Sequence, residues 1–293
     1  MITLALIGIG KWGQNYLRTA ATLKNVQIKY VCAQTQQTLN LLPHAYIKTL
    51  SVNDLLKYKD IEGFILATPA STHFVIAKKL LSLGNNLLVE KPFTTNYRQA
   101  FELRKIWQNK KPQVLIGHTY IYDPAYQSFK KALEDTKTIN SMHFEGLSSH
   151  IRNDISVIWD WGPHPVSIFL DLIKQPVVEV TATGSIADPN NKLYDTTNAL
   201  IRFANGIEAS ISISWLGSHK VRRLTIKRKN KKRELDYTKT TGSALTEELV
   251  EFTQAIQGIK KITSNIDCGV SVVKILSAIE KSVKNNGRLI KLT

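Results

Sequence analysis

"ITLALIGIGKWGQNYLRTAATL", residues 2–23, passes from an apolar run through three closely spaced glycines into an amphipathic helical pattern. Gly8, Gly10 and Gly13 stand in the order G-x-G-x-x-G, with Lys11 and Trp12 inside the loop. The motif alone is weak, but its place after a strand and at the start of a helix gives it mechanical meaning. The first glycine permits a tight turn, the second lets backbone approach a pyrophosphate, and the third packs helix against strand. Amides and the dipole at the helix start then face the phosphates. This reads as a dinucleotide-binding loop; an ordinary glycine-rich strand–helix turn is the alternative. The next strand, "VQIKYVCA", leads to Ala33 and Gln34, where an acidic residue would hold a ribose 2′-hydroxyl. No arginine follows to bind a 2′-phosphate. NAD and NADP both stay open, with Gln34 or Thr35 as hydrogen-bonding candidates at the ribose.

Outward from this loop, the first ~120 residues alternate apolar strand-like runs with helical patterns, which predicts a parallel α/β sheet. "SVNDLLKY" begins with a capping serine, and "STHFVIAKKLLSLG" is expected to be capped by Ser71 and closed by Gly84. After residues 117–124 the pattern changes. "SMHFEGLSS", "VVEVTATGSIA", "TNALIRFA" and "GIEASISISW" alternate apolar and polar residues, as in an antiparallel sheet with one solvated face. Two helical segments follow near the end. The expected division is a dinucleotide-binding domain over 1–120 and a second α/β domain over 121–293.

The 293 residues are 43% hydrophobic, which excludes a disordered chain and allows a sizeable core. No apolar run approaches the ~18 residues of a membrane helix, and the N-terminal run reads as a strand, not a signal peptide. Cys32 and Cys268 are the only cysteines, a usage that fits a reducing cytoplasm. No His, Asp, Glu or Cys cluster has metal-ligand spacing, so no metal is expected. The formal charge is +16, concentrated in "KVRRLTIKRKNKKRE", Lys220–Glu234. Two readings stand: a solvated hairpin turning at Lys229 and Asn230, or an electrostatic surface for an anionic partner. No nucleic-acid motif accompanies the charge.

"VIWDWGPHPVSIF", residues 157–169, holds Asp160 and His164 four residues apart in an apolar stretch. That spacing lets them share a helix face, with Pro163 tolerated in a first turn. With "GIGKWG", "ATPASTH" (67–73), "VEKP" (89–92) and "GHTYIYDPA" (117–125), the chain resembles the Gfo/Idh/MocA family of nicotinamide-dependent oxidoreductases along essentially its whole length. The resemblance implies a Rossmann domain followed by an α/β domain with an open, mainly antiparallel sheet, which often forms the family's oligomer interface. It implies that Lys91, Asp160 and His164 are catalytic. It also places Thr68, Pro69, His73, Glu90 and His118 with the glycine loop at the cofactor, and a cis bond before Pro92.

Chemistry agrees with those roles. Histidine titrates near neutrality and suits proton transfer to or from a hydroxyl. A lysine at the end of a parallel strand lies where open α/β sheets bind ligands, and its ammonium can stabilise alkoxide charge. Asp160 can orient the imidazole or accept a substrate hydroxyl. Each residue also has an ordinary structural reading: a salt bridge, a helix cap and a buried histidine.

Within the family the motifs look most like the nucleotide-sugar branch, the UDP-N-acetylglucosaminuronate 3-dehydrogenases, although Ile121 stands where other branches often carry arginine. Tyr120, Arg152 and Asn153 join Lys91, Asp160 and His164 as expected substrate contacts. A free-sugar or cyclitol dehydrogenase is the alternative within the class, and a non-catalytic dinucleotide sensor is the alternative outside it.

Overall fold

The computed structural model describes residues 1–133, 136–188, 190–228, 231–240 and 243–292. The turn expected at Lys229 and Asn230 lies outside these residues. The chain forms two compact units, Met1–Gly117 with Leu245–Val270, and His118–Ala244 with Ser271–Thr293. Residues 245–270 thus group with the N-terminal unit, where the sequence assigned them to 121–293.

In order, the first unit contains β1 (Ile2–Ile7), α1 (Lys11–Ala21), β2 (Val26–Cys32), α2 (Gln36–Asn40), β3 (Ile47–Thr49), α3 (Val52–Leu55), β4 (Gly63–Leu66), α4 (Ala70–Leu83), β5 (Leu87–Glu90), α5 (Tyr97–Lys110) and β6 (Val114–Gly117). All its strand pairs are parallel, in the order β3-β2-β1-β4-β5-β6. Every residue of β4, β5 and β6 is buried, which is why these strands read as unbroken apolar runs. The strand order reverses between β1 and β4, the place where open α/β sheets leave a crevice at their carboxyl ends.

Ser71 is not the cap of α4. Helical geometry begins at Ala70, and Pro69 stands at the cap without a side-chain bond. The Thr72 amide donates to the Pro69 carbonyl, so the chain has already turned before Ser71. Gly84 does close the helix, in the left-handed conformation at φ 84°.

The C-terminal segment holds α9 (Ala244–Ile256), and the division between units falls after Val270, within α10 (Ile266–Lys284). Physical ties place residues 245–270 in the first unit. The Ile116 amide donates to the Ser264 carbonyl, Arg104 pairs with Asp267, and Gly63 lies against Ile256 and Phe252, whose side chains a Cβ there would meet at 2.8 and 3.2 Å.

The second unit is built on α6 (Pro124–Ala132), β7 (Ser141–Leu147), α7 (Val157–Asp160), α8 (Pro163–Leu172), β8 (Val177–Ser185), β9 (Thr196–Phe203), β10 (Glu208–Ser214), β11 (Val221–Arg228), β12 (Lys231–Asp236) and β13 (Ile290–Lys291). Its seven strands run in the order β12-β11-β7-β10-β9-β8-β13. The sheet is antiparallel except where β7 and β10 pair in parallel. Alternation sets its inner face: Met142 and Phe144 on β7, Ala199, Ile201 and Phe203 on β9, and Ala209, Ile211 and Ile213 on β10 are buried.

Gly146, between Ile213 and Arg222 in the register, is a glycine because the Trp161 ring lies against it. A Cβ there would sit 2.6 Å from Trp161 Cζ3 and 3.2 Å from Ile213 Cγ2. Gly146→Ala is therefore expected to destabilise the protein by about 1–3 kcal/mol, as overpacking does. Urea unfolding followed by tryptophan fluorescence checks this; an unchanged midpoint would show that the ring is not held there.

Candidate active site

At the end of β1 the three glycines are required for different reasons. Gly8 has φ 97°, and a Cβ there would lie 2.6 Å from the Ala67 carbonyl oxygen. A Cβ on Gly13 would overlap the Gly8 carbonyl oxygen, so only glycine lets α1 approach its strand. Gly10 is different. Its φ is −74°, open to any residue, and a Cβ there would meet nothing within 4 Å. Neither conformation nor internal packing explains it, whereas close approach of a phosphate would. The start of α1 has no capping side chain and no acidic residue in its first turn. Its first-turn amides, which lack intrahelical acceptors, are thus oriented for an anion. The loop fits a dinucleotide's pyrophosphate.

Around this loop the expected cofactor residues occupy varied positions. Lys11 and Trp12 are exposed, as is Gln34 beyond the end of β2. The Thr35 side chain caps α2 by accepting from the Thr38 amide. Thr68 is half-buried and Pro69 exposed after β4. His73 is buried, with Nδ1 2.9 Å from the Pro92 carbonyl and Nε2 2.9 Å from the Thr68 carbonyl. Its ring joins the loop after β4 to the loop after β5, and so positions these loops through their backbone. Burial holds its pKa below the ordinary value, although the carbonyls on it act in the other direction. The Lys91–Pro92 bond is cis.

Glu90 sits at the centre of a cluster that the sequence did not reveal. It is 2% exposed, and Glu248 on α9 is 0% exposed. The Tyr16 hydroxyl lies 2.6 Å from Glu90 Oε1 and 2.9 Å from Glu248 Oε1. A phenol has one proton to donate, so the second bond requires a proton on one of the carboxyls. Burial of two carboxylates together favours the same state. Burial accordingly pushes Glu90 up to about 7, against the opposing effects of Tyr16, the Lys91 charge and the Trp12 side chain. The Lys91 amide donates to Glu90 Oε2, which ties the lysine's backbone to this cluster. Gly117, opposite Glu90 on β6, leaves room for the carboxyl; a Cβ would lie 3.2 Å from Oε1.

In the second unit, Asp160 ends α7 and His164 lies in the first turn of α8. Pro163 and Pro165 have no amide hydrogen, which explains why two short helices replace one. The turn nevertheless continues, since the Trp161 and Gly162 amides donate to Val157 and Ile158. The His164 ring stacks on Tyr120 with centroids 4.1 Å apart, and Tyr120 stacks on Tyr237 at 4.6 Å. Burial pushes the Tyr120 phenol up to about 12, with Arg222 opposing. Arg152 is engaged on two sides, to Asp154 at 2.7 Å and to Asp160 Oδ1 at 3.1 Å. Asn153 is exposed, and His118 is wholly buried at the entry to the turn Thr119–Tyr122. Among the described residues no group of three His, Cys, Asp or Glu could hold a metal, and no helix is long and apolar enough to cross a membrane.

Residues 2–118 match the model of an oxidoreductase family with an NAD-binding Rossmann fold, and residues 149–229 match the GFO/IDH/MocA C-terminal domain. The chain belongs to the Gfo/Idh/MocA oxidoreductase family. Its N-terminal domain is therefore the family's NAD-binding Rossmann domain. The chain is 28% identical over 193 residues to UDP-N-acetylglucosamine 3-dehydrogenase of Acidithiobacillus ferrooxidans, covering 65% of this chain and 60% of that protein. It is 20% identical over 229 residues to inositol 2-dehydrogenase of Rhizobium meliloti, covering 73% and 68%. The matches span 57 to 68% of the length of these and a further curated relative. In fold it resembles the WlbA dehydrogenase of Bordetella pertussis, solved with NADH and UDP-GlcNAcA, at a TM-score of 0.89 and 18% identity over 100% of this chain and 99% of that one.

Two outcomes follow for the NAD-binding domain of this family member. The stabilisation from the raised Glu90 group is full below its ordinary value of 4.5 and is lost as pH rises towards about 7. The thermal midpoint should therefore fall between about pH 5 and about pH 8, and Glu248→Gln, whose amide donates without titrating, should flatten that slope. Scanning calorimetry across this range checks it; an identical slope in the variant would contradict the shared proton. Gly13→Ala should lower the unfolding free energy by about 1–3 kcal/mol or more, since backbone must move, and equal stability in denaturant would contradict the close approach of α1 to its strand.

Proposed function

We propose that this protein is an NAD-dependent dehydrogenase that transfers hydride between nicotinamide and a secondary CH–OH carbon of a sugar, with a nucleotide-linked sugar as substrate. The observation that carries this reading is the coexistence of an otherwise unexplained Gly10 at a phosphate-ready helix start with Lys91, Asp160 and His164 at the family's catalytic motifs. Bound NAD supplies the hydride acceptor at nicotinamide C4. The chain's own residues must then handle the proton and the charge. His164 takes the hydroxyl proton as the carbon–oxygen double bond forms, and returns it in the reverse direction. The Tyr120 ring stacked on it fixes the plane of the imidazole. Lys91 stabilises developing negative charge on the substrate oxygen. Asp160, anchored by Arg152, holds the imidazole's orientation or accepts a neighbouring hydroxyl. Gly8 to Gly13, Thr68, Pro69 and Glu90 frame the dinucleotide.

The similarity to a UDP-N-acetylglucosamine 3-dehydrogenase supports the nucleotide-linked sugar. The similarity to an inositol 2-dehydrogenase supports a second reading, a free cyclitol substrate. A pure dinucleotide sensor has no need of the lysine, aspartate and histidine together. We assign the protein to a reducing cytoplasm, in keeping with two free cysteines, and to a homo-oligomer paired through the solvated face of the second unit's sheet.

Lys91→Ala and His164→Ala should each lower kcat by roughly 10²–10⁴-fold, the usual worth of an acid–base or charge-stabilising group, with the fold retained, although loss of the ring stacked on Tyr120 should cost His164→Ala about 0.5–1.5 kcal/mol of stability. The assay is nicotinamide absorbance with UDP-N-acetylglucosamine and its uronate, against myo-inositol. Turnover unchanged in both variants would sink the catalytic assignment, and turnover of myo-inositol alone would select the cyclitol reading.

A further inference from the structure

The basic segment that reads as one patch in the sequence is divided in two by strand alternation. On β11, Arg223 and Lys227 are exposed on one face, while Arg222 shares the other face with buried Leu224 and Ile226. Arg222 lies opposite Gly146 in the register with β7, where the Trp161 ring packs. Its guanidinium carbon is 5.3 Å from the Trp161 ring centroid and 5.8 Å from that of Tyr120, the ring stacked on His164. Among the described residues Arg222 makes no ion pair, and its buried Nε has no hydrogen-bond acceptor. Arg152, by contrast, is neutralised by Asp154 and Asp160. Lys220 adds a second cation nearby, and the charge of Arg222 holds the Lys220 pKa below its ordinary value.

A half-buried guanidinium without a counter-ion carries a desolvation cost that an incoming anion relieves. Two aromatic rings lie within cation–π reach of it, and the planar fork of a guanidinium can make two parallel bonds to a carboxylate or a phosphate. Its place beside the ring that stacks on His164 puts that anion on the molecule presented to the proton-transfer residue. We propose that Arg222, beside the Tyr120 and Trp161 rings, is a specificity-determining residue that binds an anionic oxygen group carried by the sugar substrate. The proposal rests on the reading of His164 as part of the substrate site. It deepens that reading by naming the residue that holds the substrate's anionic group, a glycuronate carboxylate or a sugar phosphate or diphosphate, and it excludes the neutral cyclitol of the second reading.

Isothermal titration with D-glucuronate, glucose 1-phosphate and uncharged D-glucose, at saturating NADH, tests this on the wild-type protein, Arg222→Gln and Arg222→Lys. At least one anion should bind the wild type more tightly than glucose. Arg222→Gln should weaken it by about tenfold to a hundredfold, the worth of a charge-assisted bond. Arg222→Lys, which keeps the charge without the fork, should fall between them, and glucose should be indifferent to either change. Binding of glucuronate alone identifies a carboxylate, and binding of the phosphate alone identifies a phosphoryl group. Equal anion affinity in wild type and Arg222→Gln overturns the proposal, as does a wild type that prefers neither anion to glucose. Because heat is read without turnover, an inactive protein that loses anion binding in Arg222→Gln keeps the anion site and loses only the dehydrogenase reading.

Discussion

The close approach of α1 to the sheet, possible only because Gly8 and Gly13 have no side chains, is the constraint on which the NAD-binding domain depends. A Cβ at either position would run into the carbonyl of Ala67 or of Gly8. Once the helix is seated, Tyr16 on its second turn reaches Glu90 at the end of β5 and Glu248 on α9. Glu90 in turn accepts the Lys91 amide. One steric condition thus sets the phosphate-facing helix start, draws α9 into the N-terminal unit, and fixes the backbone of the lysine that the family motif marks.

The second unit solves a different problem, holding polar groups on the inner face of a sheet. Gly146 removes a side chain so that Trp161 can lie against β7, and the rings of Tyr120, Tyr237 and His164 stack beyond it. Two aromatic rings lie near the half-buried Arg222 guanidinium without neutralising it, which keeps its charge available. The Arg152 charge is instead consumed in holding Asp160. The two arginines have the same chemistry and opposite availability.

Much of this was legible in the sequence. Continuous apolar runs gave the parallel strands because both of their faces are buried, and alternation gave the second sheet because one face is solvated. The parallel pairing of β7 with β10 was not legible, since alternation is the same in either direction. Ser71 misled because a capping residue type carries no information about where Pro69 has already bent the chain. Tyr16 and Glu248 are 232 positions apart, and no local pattern could join them. The role of Arg222 was within reach: in "VRRLTIKR" it stands in phase with Leu224 and Ile226. The net charge of the segment hid it by suggesting one uniform surface.

Gly10 is a glycine for the sake of a bound dinucleotide and for no reason internal to the described residues. Titration of NADH into the wild-type protein and into Gly10→Thr, with the unfolding midpoint of each recorded, tests it most directly. Threonine is as good a helix cap as glycine, so stability should be retained while NADH affinity falls by about tenfold or more, and the wild type should saturate. Equal affinity in the two proteins, or a wild type that binds neither NADH nor NADPH, would show that Gly10 does not serve a bound dinucleotide.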